Sequence, residues 1–260
     1  MDLQLKDKVI IVTGGAKGIG ASIVRACGQE GAIPVIVGRS AEAAEHLESE
    51  LHRDGVISHL IVADLAEPEN CAKAIDETIR TFGRIHGLVN NAGRNDGISL
   101  ERGDPEQFVG SLKSNLVHYY AMAHYALPYL KRTHGSIVNV SSKVAVTGQG
   151  GTSGYAASKG GILGLTREWA AELLPYGIRV NCVLPAEVMT PLYESWLKTF
   201  PNPDEKLKTI LSKIPLEKRM TKGEEIAAMV IFLMSSQSGH TTGQHLYVDG
   251  GYVHLDRALT

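Results

Sequence analysis

The sequence predicts an α/β protein built on a doubly wound, seven-stranded parallel sheet with helices on both faces. Short β-branched runs alternate with amphipathic stretches from end to end of the 260 residues. The runs are apolar throughout, as expected of parallel strands that are covered on both faces. Because no linker, repeat or low-complexity tract interrupts this alternation, we expect a single domain over residues 1–260.

Seven runs are assigned to strands because β-branched residues dominate them and turn residues bound them. In chain order they are Val9–Thr13, Ile33–Val37, Ser58–Ala63, Gly87–Asn90, Ser136–Ser141, Ile178–Val183 and Gln244–Val248. Parallel strands are joined by right-handed crossovers, which place ligands beyond the carboxyl ends of the strands.

Helices are predicted between these strands, where apolar residues recur at helical spacing. They cover Ile19–Glu30, Ala41–Arg53, Pro68–Phe82 and Pro105–Arg132, the last with an interruption near Gly110. A further helix follows the fifth strand and carries Tyr155.

The composition excludes several classes of protein. The net charge of −2 gives no basic surface for nucleic acid. No apolar run reaches the roughly 18 residues of a membrane span, and the first eight residues contain no signal-peptide core. The three cysteines, Cys27, Cys71 and Cys182, match no metal-ligand pattern. We expect buried free thiols, no metal site and a cytoplasmic protein.

A glycine-rich segment directly follows the first strand and opens the first helix. Gly14, Gly18 and Gly20 have the spacing G-x-x-x-G-x-G, not the more familiar G-x-G-x-x-G. Small residues permit a tight turn close to a pyrophosphate, and the helix N-terminus supplies N–H donors and partial positive charge. We therefore predict a Rossmann-like dinucleotide site here; the alternative is a purely structural turn.

Arg39 bears on the choice of cofactor. It ends the second strand, about 20 residues after Gly20, where NAD enzymes usually carry a carboxylate for the ribose 2′-hydroxyl. Gly38 offers no carboxylate, whereas Arg39 offers a guanidinium suited to a 2′-phosphate, with Lys17 as a second cation. We predict a preference for NADP, with NAD possible. The alternative is that both cations are simply solvated.

Tyr155 and Lys159 lie four residues apart on a predicted helix, so their side chains share one face. A free tyrosine titrates near pH ~10. A neighbouring ammonium favours the phenolate, so we expect a lowered pKa that makes Tyr155 a general base. Tyr-x-x-x-Lys also arises by chance in many helices. The pattern becomes evidence for a catalytic site because Ser142 ends the fifth strand and Asn115 lies in the long helix.

With these residues the whole chain resembles the short-chain dehydrogenase/reductases. The motifs occur in the family's order: Thr13-Gly14, Asn90-Asn91-Ala92-Gly93, Ser142, Tyr155 with Lys159, and Asp249-Gly250-Gly251. The resemblance implies an NAD(P)-dependent enzyme with the catalytic residues Asn115, Ser142, Tyr155 and Lys159.

In that set Tyr155 would exchange a proton with the substrate oxygen, and Lys159 would lower its pKa and bind the nicotinamide ribose. Ser142 would hold the reacting oxygen, and Asn115 would anchor a water in a proton relay. Ser141 is the alternative serine, but its spacing to the tyrosine is less suitable, and strand alternation sends the two serines to opposite faces.

Other cofactor contacts are expected at strand ends. Asp64 and Leu65 are placed to touch adenine, although Asp64 could instead cap a helix. Ala186 stands where the family usually has glycine, and Val188 and Thr190 are placed for the carboxamide. The full predicted set is Gly14, Lys17, Gly18, Ile19, Gly20, Arg39, Asp64, Leu65, Asn91, Ala92, Gly93, Tyr155, Lys159, Pro185, Val188 and Thr190.

The candidate substrate pocket combines polar groups with aromatic surface, which suits a sugar better than a steroid or an acyl chain. Its predicted residues are Asn95, Lys143, Gln149, Glu187 and Trp196, beneath a lid around residues 186–215. Glu187 either accepts a hydrogen bond from a hydroxylated substrate or pairs with a neighbouring Lys or Arg.

Segments 94–98, 142–150, 185–193 and 251–259 resemble bacterial L-fucose dehydrogenases. This resemblance implies oxidation of the C1 hydroxyl of L-fucose or a related aldose to the lactone. The alternatives are a carbonyl reductase acting on an acyl thioester or steroid ketone, and a non-enzymatic nucleotide sensor. The resemblance to the wider family also implies a homotetramer formed through the helix around 115–130 and the helix that carries Tyr155, and the tail Tyr252–Leu259 could pack against a neighbouring subunit. The alternative is that the helix around 115–130 is an ordinary core-facing helix.

Overall fold

A computed structural model describes residues 2–255. Within that range the strands form one parallel sheet in the order β3-β2-β1-β4-β5-β6-β7. They are β1 (Val9–Thr13), β2 (Ile33–Gly38), β3 (His59–Val62), β4 (Gly87–Asn90), β5 (Ser136–Val140), β6 (Arg179–Pro185) and β7 (His245–Val248). The predicted doubly wound, seven-stranded sheet is confirmed, with small shifts at the strand ends.

The helices are α1 (Gly18–Gln29), α2 (Ala41–Arg53), α3 (Pro68–Phe82), α4 (Pro105–Leu112), α5 (His118–Thr133), α6 (Ser153–Glu172), α7 (Pro191–Leu197), α8 (Pro203–Ser212) and α9 (Gly223–Met234). A π-helical turn, Lys113–Val117, joins α4 to α5. The interruption expected near Gly110 therefore lies a few residues later, because α4 continues through that glycine.

The two faces of the sheet bury separate cores, because successive residues of a strand point to opposite sides. Val9 and Ile11 of β1 pack with α3, α5 and α6, whereas Ile10 and Val12 pack with α1, α2 and α9. Burying one such side chain contributes roughly 1.5–3 kcal/mol. This burial on both sides explains why the strands are apolar throughout.

A buried amide chain holds α6 against the sheet. The Asn90 side-chain amide donates to Asn139 Oδ1 at 3.0 Å, and the Asn139 amide donates to Thr166 Oγ1 at 3.0 Å. Thr166 belongs to α6, which also carries Tyr155. These two hydrogen bonds therefore link β4 and β5 to the helix that carries the predicted catalytic pair, Tyr155 and Lys159.

The order of the strands reverses beside β1, which pairs with β2 on one side and β4 on the other. Ligands of doubly wound sheets bind in the crevice at such a switch point, outside the carboxyl ends of the strands. The glycine-rich turn and Asn90-Asn91-Ala92-Gly93 both leave the sheet there.

Several other expectations concern the chain as a whole. Cys27, Cys71 and Cys182 are buried free thiols, as predicted. No helix within residues 2–255 is long and apolar enough to cross a membrane, and no metal-ligating cluster occurs in that range. Residues 256–259, which end both the segment 251–259 and the predicted tail, lie outside the described residues.

Candidate active site

The turn between β1 and α1 depends on its glycines. Gly14 and Gly18 adopt φ values of +65° and +54°, a region that side chains disfavour. A Cβ on Gly20 would lie 2.1 Å from the Gly14 carbonyl oxygen, so turn and helix pack backbone to backbone. Lys17 at the start of α1 makes no side-chain capping bond. The N–H donors of the first turn can therefore face an anion.

Thr13 and Asn91 tie this turn to the loop after β4. Thr13 Oγ1 accepts hydrogen bonds from the backbone N–H groups of Asn91 (2.9 Å) and Ala92 (3.1 Å). The Asn91 amide donates to the carbonyl oxygens of Thr13 (2.9 Å) and Gly14 (3.3 Å). The Asn91 side chain thus joins the carboxyl ends of β1 and β4.

The glycine turn also meets the loop after β6. A Cβ on Gly18 would lie 3.2 Å from Thr190 Cγ2. The two segments share a cavity of about 370 Å³, whose lining includes Gly18, Ile19, Val188 and Thr190. Thr190 Oγ1 also accepts from the Tyr193 N–H at 3.2 Å and so caps α7. Its hydroxyl serves the fold as well as facing the cleft.

Ala186 occupies its unusual position without strain. It is not among the residues with positive φ, so the glycine that the family usually has here is not required by backbone conformation. Pro185 ends β6 in a buried position. The segment that follows is held by Val188, which forms an isolated bridge with Thr221.

Lys159 is held by a residue that the sequence did not suggest. Its buried ammonium donates to the Val140 carbonyl oxygen at 2.8 Å and to the Tyr119 hydroxyl at 3.1 Å. The Tyr119 hydroxyl in turn donates to the same carbonyl at 2.9 Å. Lys159 Nζ lies 5.6 Å from the centroid of the Tyr155 ring. Burial lowers the pKa of Lys159 to about 8.

The Tyr155 phenol is less acidic than expected. Burial raises the pKa of Tyr155 to about 12, a hydrogen bond with the Ser142 hydroxyl lowers it, and the charge of Asp96 raises it. The expectation that Lys159 brings this pKa below its ordinary value is therefore corrected. Desolvation of the phenolate is the largest cause of the raised pKa.

The two serines at the end of β5 have separate roles. Ser141 Oγ donates to the Lys159 carbonyl oxygen at 2.8 Å and is buried against α6. Ser142 accepts weakly from the Val144 N–H at 3.4 Å and its hydroxyl reaches Tyr155. Ser142 is thus the serine that reaches the phenol, whereas Ser141 faces α6.

Asn115 lies in the π-helical turn and is fully buried. Its Oδ1 accepts from the Arg94 N–H at 2.7 Å, and its amide donates to the Ser111 carbonyl oxygen at 3.0 Å. A Cβ on Gly93 would lie 2.9 Å from Asn115 Oδ1 and 3.6 Å from Lys159 Nζ. The absence of a side chain at Gly93 thus leaves room for both Asn115 and Lys159 beside the loop after β4.

Comparison with known proteins agrees with this geometry. Residues 14–253 match the model of the family described as enoyl-(acyl carrier protein) reductase. The chain belongs to the short-chain dehydrogenase/reductase family. It is an oxidoreductase of a family whose dehydrogenases use nicotinamide dinucleotides, NAD or NADP. The glycine turn, the open N-terminus of α1 and the cavity shared with the loop after β6 fit such a group.

Three similar proteins illustrate the range of this family. A 3-oxoacyl-[acyl-carrier-protein] reductase of Thermotoga maritima is 36% identical over 254 residues, 96% of this chain and 100% of the relative. An L-fucose dehydrogenase of Bos taurus is 36% identical over 252 residues, 96% of this chain and 91% of the relative. The crystal structure of Cj0485 dehydrogenase is 47% identical, with a TM-score of 0.94 and coverage of 100% of this chain and 99% of that chain.

Two of the predicted substrate residues, Lys143 and Glu187, form a buried ion pair, and their side chains are 12% and 10% exposed. The Tyr193 hydroxyl donates to Glu187 Oε2 at 2.7 Å. Lys143 Nζ also lies 4.2 Å from the centroid of the Tyr252 ring. Of the two readings of Glu187, the structure shows the ion pair. We call Lys143, Glu187, Tyr193 and Tyr252 the ion-pair cluster.

The remaining predicted substrate residues lie further out. Trp196 packs edge-on against Tyr193, with ring centroids 5.1 Å apart, and is 42% exposed. Asn95 is exposed and its Oδ1 caps the N–H of Gly97 at 3.2 Å. Gln149 is exposed in the loop before α6. The dehydrogenase thus groups Lys143, Glu187 and Trp196, while Asn95 and Gln149 stand at the rim.

The residues predicted to contact the adenosine half of the cofactor differ in exposure. Arg39 and Lys17 are exposed at the carboxyl end of the sheet, and no ion pair in residues 2–255 includes either. Asp64 is exposed and accepts from the Ala66 N–H at 3.1 Å. Because α3 begins at Pro68, Asp64 caps a local turn and not the helix. Leu65 points into the core, so only its backbone is available to a cofactor.

Proposed function

We propose that this dehydrogenase oxidises the C1 hydroxyl of L-fucose or a related aldose to the lactone. The observation that carries the proposal is the ion-pair cluster, which groups charged side chains and phenols around Lys143, the residue directly after Ser142. Sugar sites combine hydrogen-bonding groups with aromatic faces, and Trp196 supplies further aromatic surface. A steroid or acyl chain would need a mostly apolar lining.

Each catalytic side chain has a defined task in this reaction. Tyr155 as phenolate takes the proton of the C1 hydroxyl, and Ser142 donates a hydrogen bond to the same oxygen as negative charge develops there. Lys159 contributes positive charge beside the phenol, and Asn115 would anchor a water for proton transfer. When bound, the nicotinamide dinucleotide supplies the acceptor for the hydride from C1. Such positioned acid–base catalysis is worth about 10²–10⁴ in rate.

NADP is the cofactor that we propose as preferred. Arg39 and Lys17 are both exposed beside the glycine turn, without an acidic partner among the ion pairs of residues 2–255. Gly38 leaves no carboxylate to bind a ribose 2′-hydroxyl or to repel a 2′-phosphate. A guanidinium suits a 2′-phosphate as a two-point donor.

An acyl carrier protein reductase is the main competing activity, since one relative of equal identity has that name. A carrier protein requires a basic docking surface at the cleft. Lys131 and Arg132 end α5, which leads into the start of β5, at the edge of the sheet opposite the cleft. Lys218 and Arg219 are the second pair of basic residues, and Arg219 forms ion pairs with Glu217 and Glu225. Neither basic pair supports this alternative.

A homotetramer through α5 is also part of the proposal. Tyr120 is 56% exposed and stacks on His124 with ring centroids 5.9 Å apart, and Val117 is 39% exposed. Together these side chains give the π-helical turn and α5 an exposed, largely aromatic and apolar stripe in addition to the core-facing one. A particle mass of four chains in solution is expected; a monomer would contradict this assembly.

We further propose that α7 and α8 act as the lid around residues 186–215. They follow the loop after β6, and α7 is attached to the cleft through Tyr193 and Thr190. Closure over the sugar would exclude water from the reacting atoms.

The test of the reaction is a direct assay. The purified protein is mixed with L-fucose and NADP or NAD, and reduced nicotinamide is followed by absorbance. A 3-oxoacyl thioester and a steroid ketone are assayed in the reducing direction under the same conditions. We expect turnover of L-fucose or a related aldose with a lactone product. Reduction of the thioester or ketone with no sugar oxidation would contradict the proposal.

A further inference from the structure

One carboxylate oxygen of Asp96 is shielded from solvent and receives no hydrogen bond from the described residues. Asp96 Oδ1 is inaccessible to solvent and has no hydrogen-bond partner within residues 2–255. A shielded polar atom without a partner is destabilising, and more so when it is charged. Such an atom persists where a ligand completes its hydrogen bonding.

The loop that carries Asp96 is anchored on both sides at the reaction centre. On one side, the Arg94 N–H donates to the predicted catalytic residue Asn115 at 2.7 Å. On the other, the Ile98 carbonyl oxygen accepts from the Gly154 N–H at 3.5 Å. Gly154 immediately precedes Tyr155. Asp96 therefore lies between two attachments, one to the turn that carries Asn115 and one to the start of the helix that carries Tyr155.

The electrostatic coupling of Asp96 to the phenol agrees with this position. Its charge acts on Tyr155 and raises the pKa of that hydroxyl. Coulomb interactions of this kind weaken with distance and with solvent, so Asp96 and Tyr155 share one shielded region. The carboxylate thus lies close enough to the Tyr155 hydroxyl to act on it electrostatically.

We propose that Asp96 binds a ring hydroxyl of the sugar and so selects polyhydroxylated substrates. This inference rests on the proposed function and names Asp96 as a residue that determines substrate specificity. A carboxylate only accepts hydrogen bonds, and a polyol offers several donors. A ketone or thioester offers none, and its binding would leave Asp96 Oδ1 shielded and unpaired. Sites built to hold a hydroxyl reject analogues that lack it for this reason.

The test compares L-fucose with its 2-, 3- and 4-deoxy analogues in the wild-type enzyme and in Asp96→Ala. In the wild type, one analogue should lose about 10- to 100-fold in kcat/KM, the range for a hydrogen bond to a charged group. In Asp96→Ala the same analogue should differ from L-fucose by less than about 3-fold. Asp96→Asn keeps the shape and one acceptor and should give an intermediate ratio.

Glu101→Ala is the matched control, because Glu101 is an exposed carboxylate in the same segment. It should leave every ratio unchanged. If Asp96→Ala lowers kcat/KM equally for all four sugars, the residue only supports the loop and the assignment is overturned. If the alanine variant does not fold, a wild-type ratio in Asp96→Asn overturns it as well. A wild type inactive on every sugar would instead overturn the proposed function, and this assignment with it.

Discussion

The Lys159 ammonium donates a hydrogen bond to the Tyr119 hydroxyl at 3.1 Å, and both groups share the Val140 carbonyl oxygen as an acceptor. Tyr119 is completely buried, so its hydroxyl cannot exchange this contact for one with water. The position of the Lys159 ammonium is therefore set by α5 and β5 as well as by its own helix.

Tyr119→Phe removes one acceptor from Lys159 while keeping the ring. The ammonium should gain freedom to move, and we expect kcat to fall about 5- to 20-fold, in line with the roughly 1–2 kcal/mol of a buried hydrogen bond. Steady-state kinetics and a pH profile measure the effect. Tyr120→Phe, on the exposed side of α5, is the control. Equal kcat in both variants would show that the Tyr119 hydroxyl does not position Lys159.

Tyr155→Phe removes the proposed base without removing the ring. We expect kcat to fall by at least ~10², the lower limit for general acid–base catalysis. The Kd of the cofactor, measured by fluorescence titration, should change little. Residual activity above a few per cent would reject Tyr155 as the base. Tyr176→Phe, at a partly exposed ring outside the cleft, should behave as wild type.

Arg39→Asp reverses the charge that would meet a 2′-phosphate. The ratio of kcat/KM for NADP to that for NAD should fall about 10- to 100-fold, because a charge-assisted hydrogen bond is replaced by repulsion. The measurement is a pair of cofactor saturation curves at fixed sugar. Arg53→Asp alters an exposed arginine at the end of α2 and should preserve the ratio. An unchanged ratio in Arg39→Asp would show that this guanidinium does not bind the 2′-phosphate of NADP.

Glu187→Gln leaves the Lys143 ammonium buried without its counter-charge. Breaking a buried ion pair on one side costs about 3–5 kcal/mol, so the free energy of unfolding should drop by a similar amount. Denaturant titration measures it. The double variant Lys143→Met with Glu187→Gln removes both charges and should recover part of the loss. If the single variant is as stable as wild type, the pair does not stabilise the fold.

Asp96→Asn should make the enzyme active at lower pH. Burial and the Asp96 charge both raise the pKa of Tyr155, which is about 12 in the protein alone. Oxidation uses the phenolate, so activity should rise with pH as Tyr155 loses its proton. Removal of the Asp96 charge should lower the pKa of Tyr155 and move this rise toward lower pH. A profile of kcat against pH tests the direction. Glu101→Gln should not move it, and a shift to higher pH in Asp96→Asn would contradict the coupling.

Local patterns in the sequence were sufficient for much of the fold. Strands such as β1 and β2 are buried at every residue, so their apolar runs are unambiguous. The glycine turn and the pair Tyr155 and Lys159 are also local, because spacing along one helix or turn determines their geometry. For this reason the sheet and the centre of the site could be predicted together.

Features that depend on several elements were not predictable in this way. Tyr119 lies in an apolar helix, and only the packing of α5, β5 and α6 turns its hydroxyl toward Lys159. Helix α9 was missed because its residues are apolar around most of the helix, which obscures a helical period. The raised pKa of Tyr155 reflects burial, which spacing from Lys159 does not reveal.

The π-helical turn Lys113–Val117 makes the enzyme sensitive to changes of chain length. Each residue of an α-helix advances the chain by about 100° around the axis. Deleting one residue from the turn would restore regular pairing but swing α4 by that angle relative to α5. Ser111, which touches both Asn115 and the backbone at Gly154, would then leave its place. Insertion or deletion of a single residue in this turn should therefore abolish turnover even where the helix still forms. The number of residues between α4 and α5 is thus fixed by the geometry of the site.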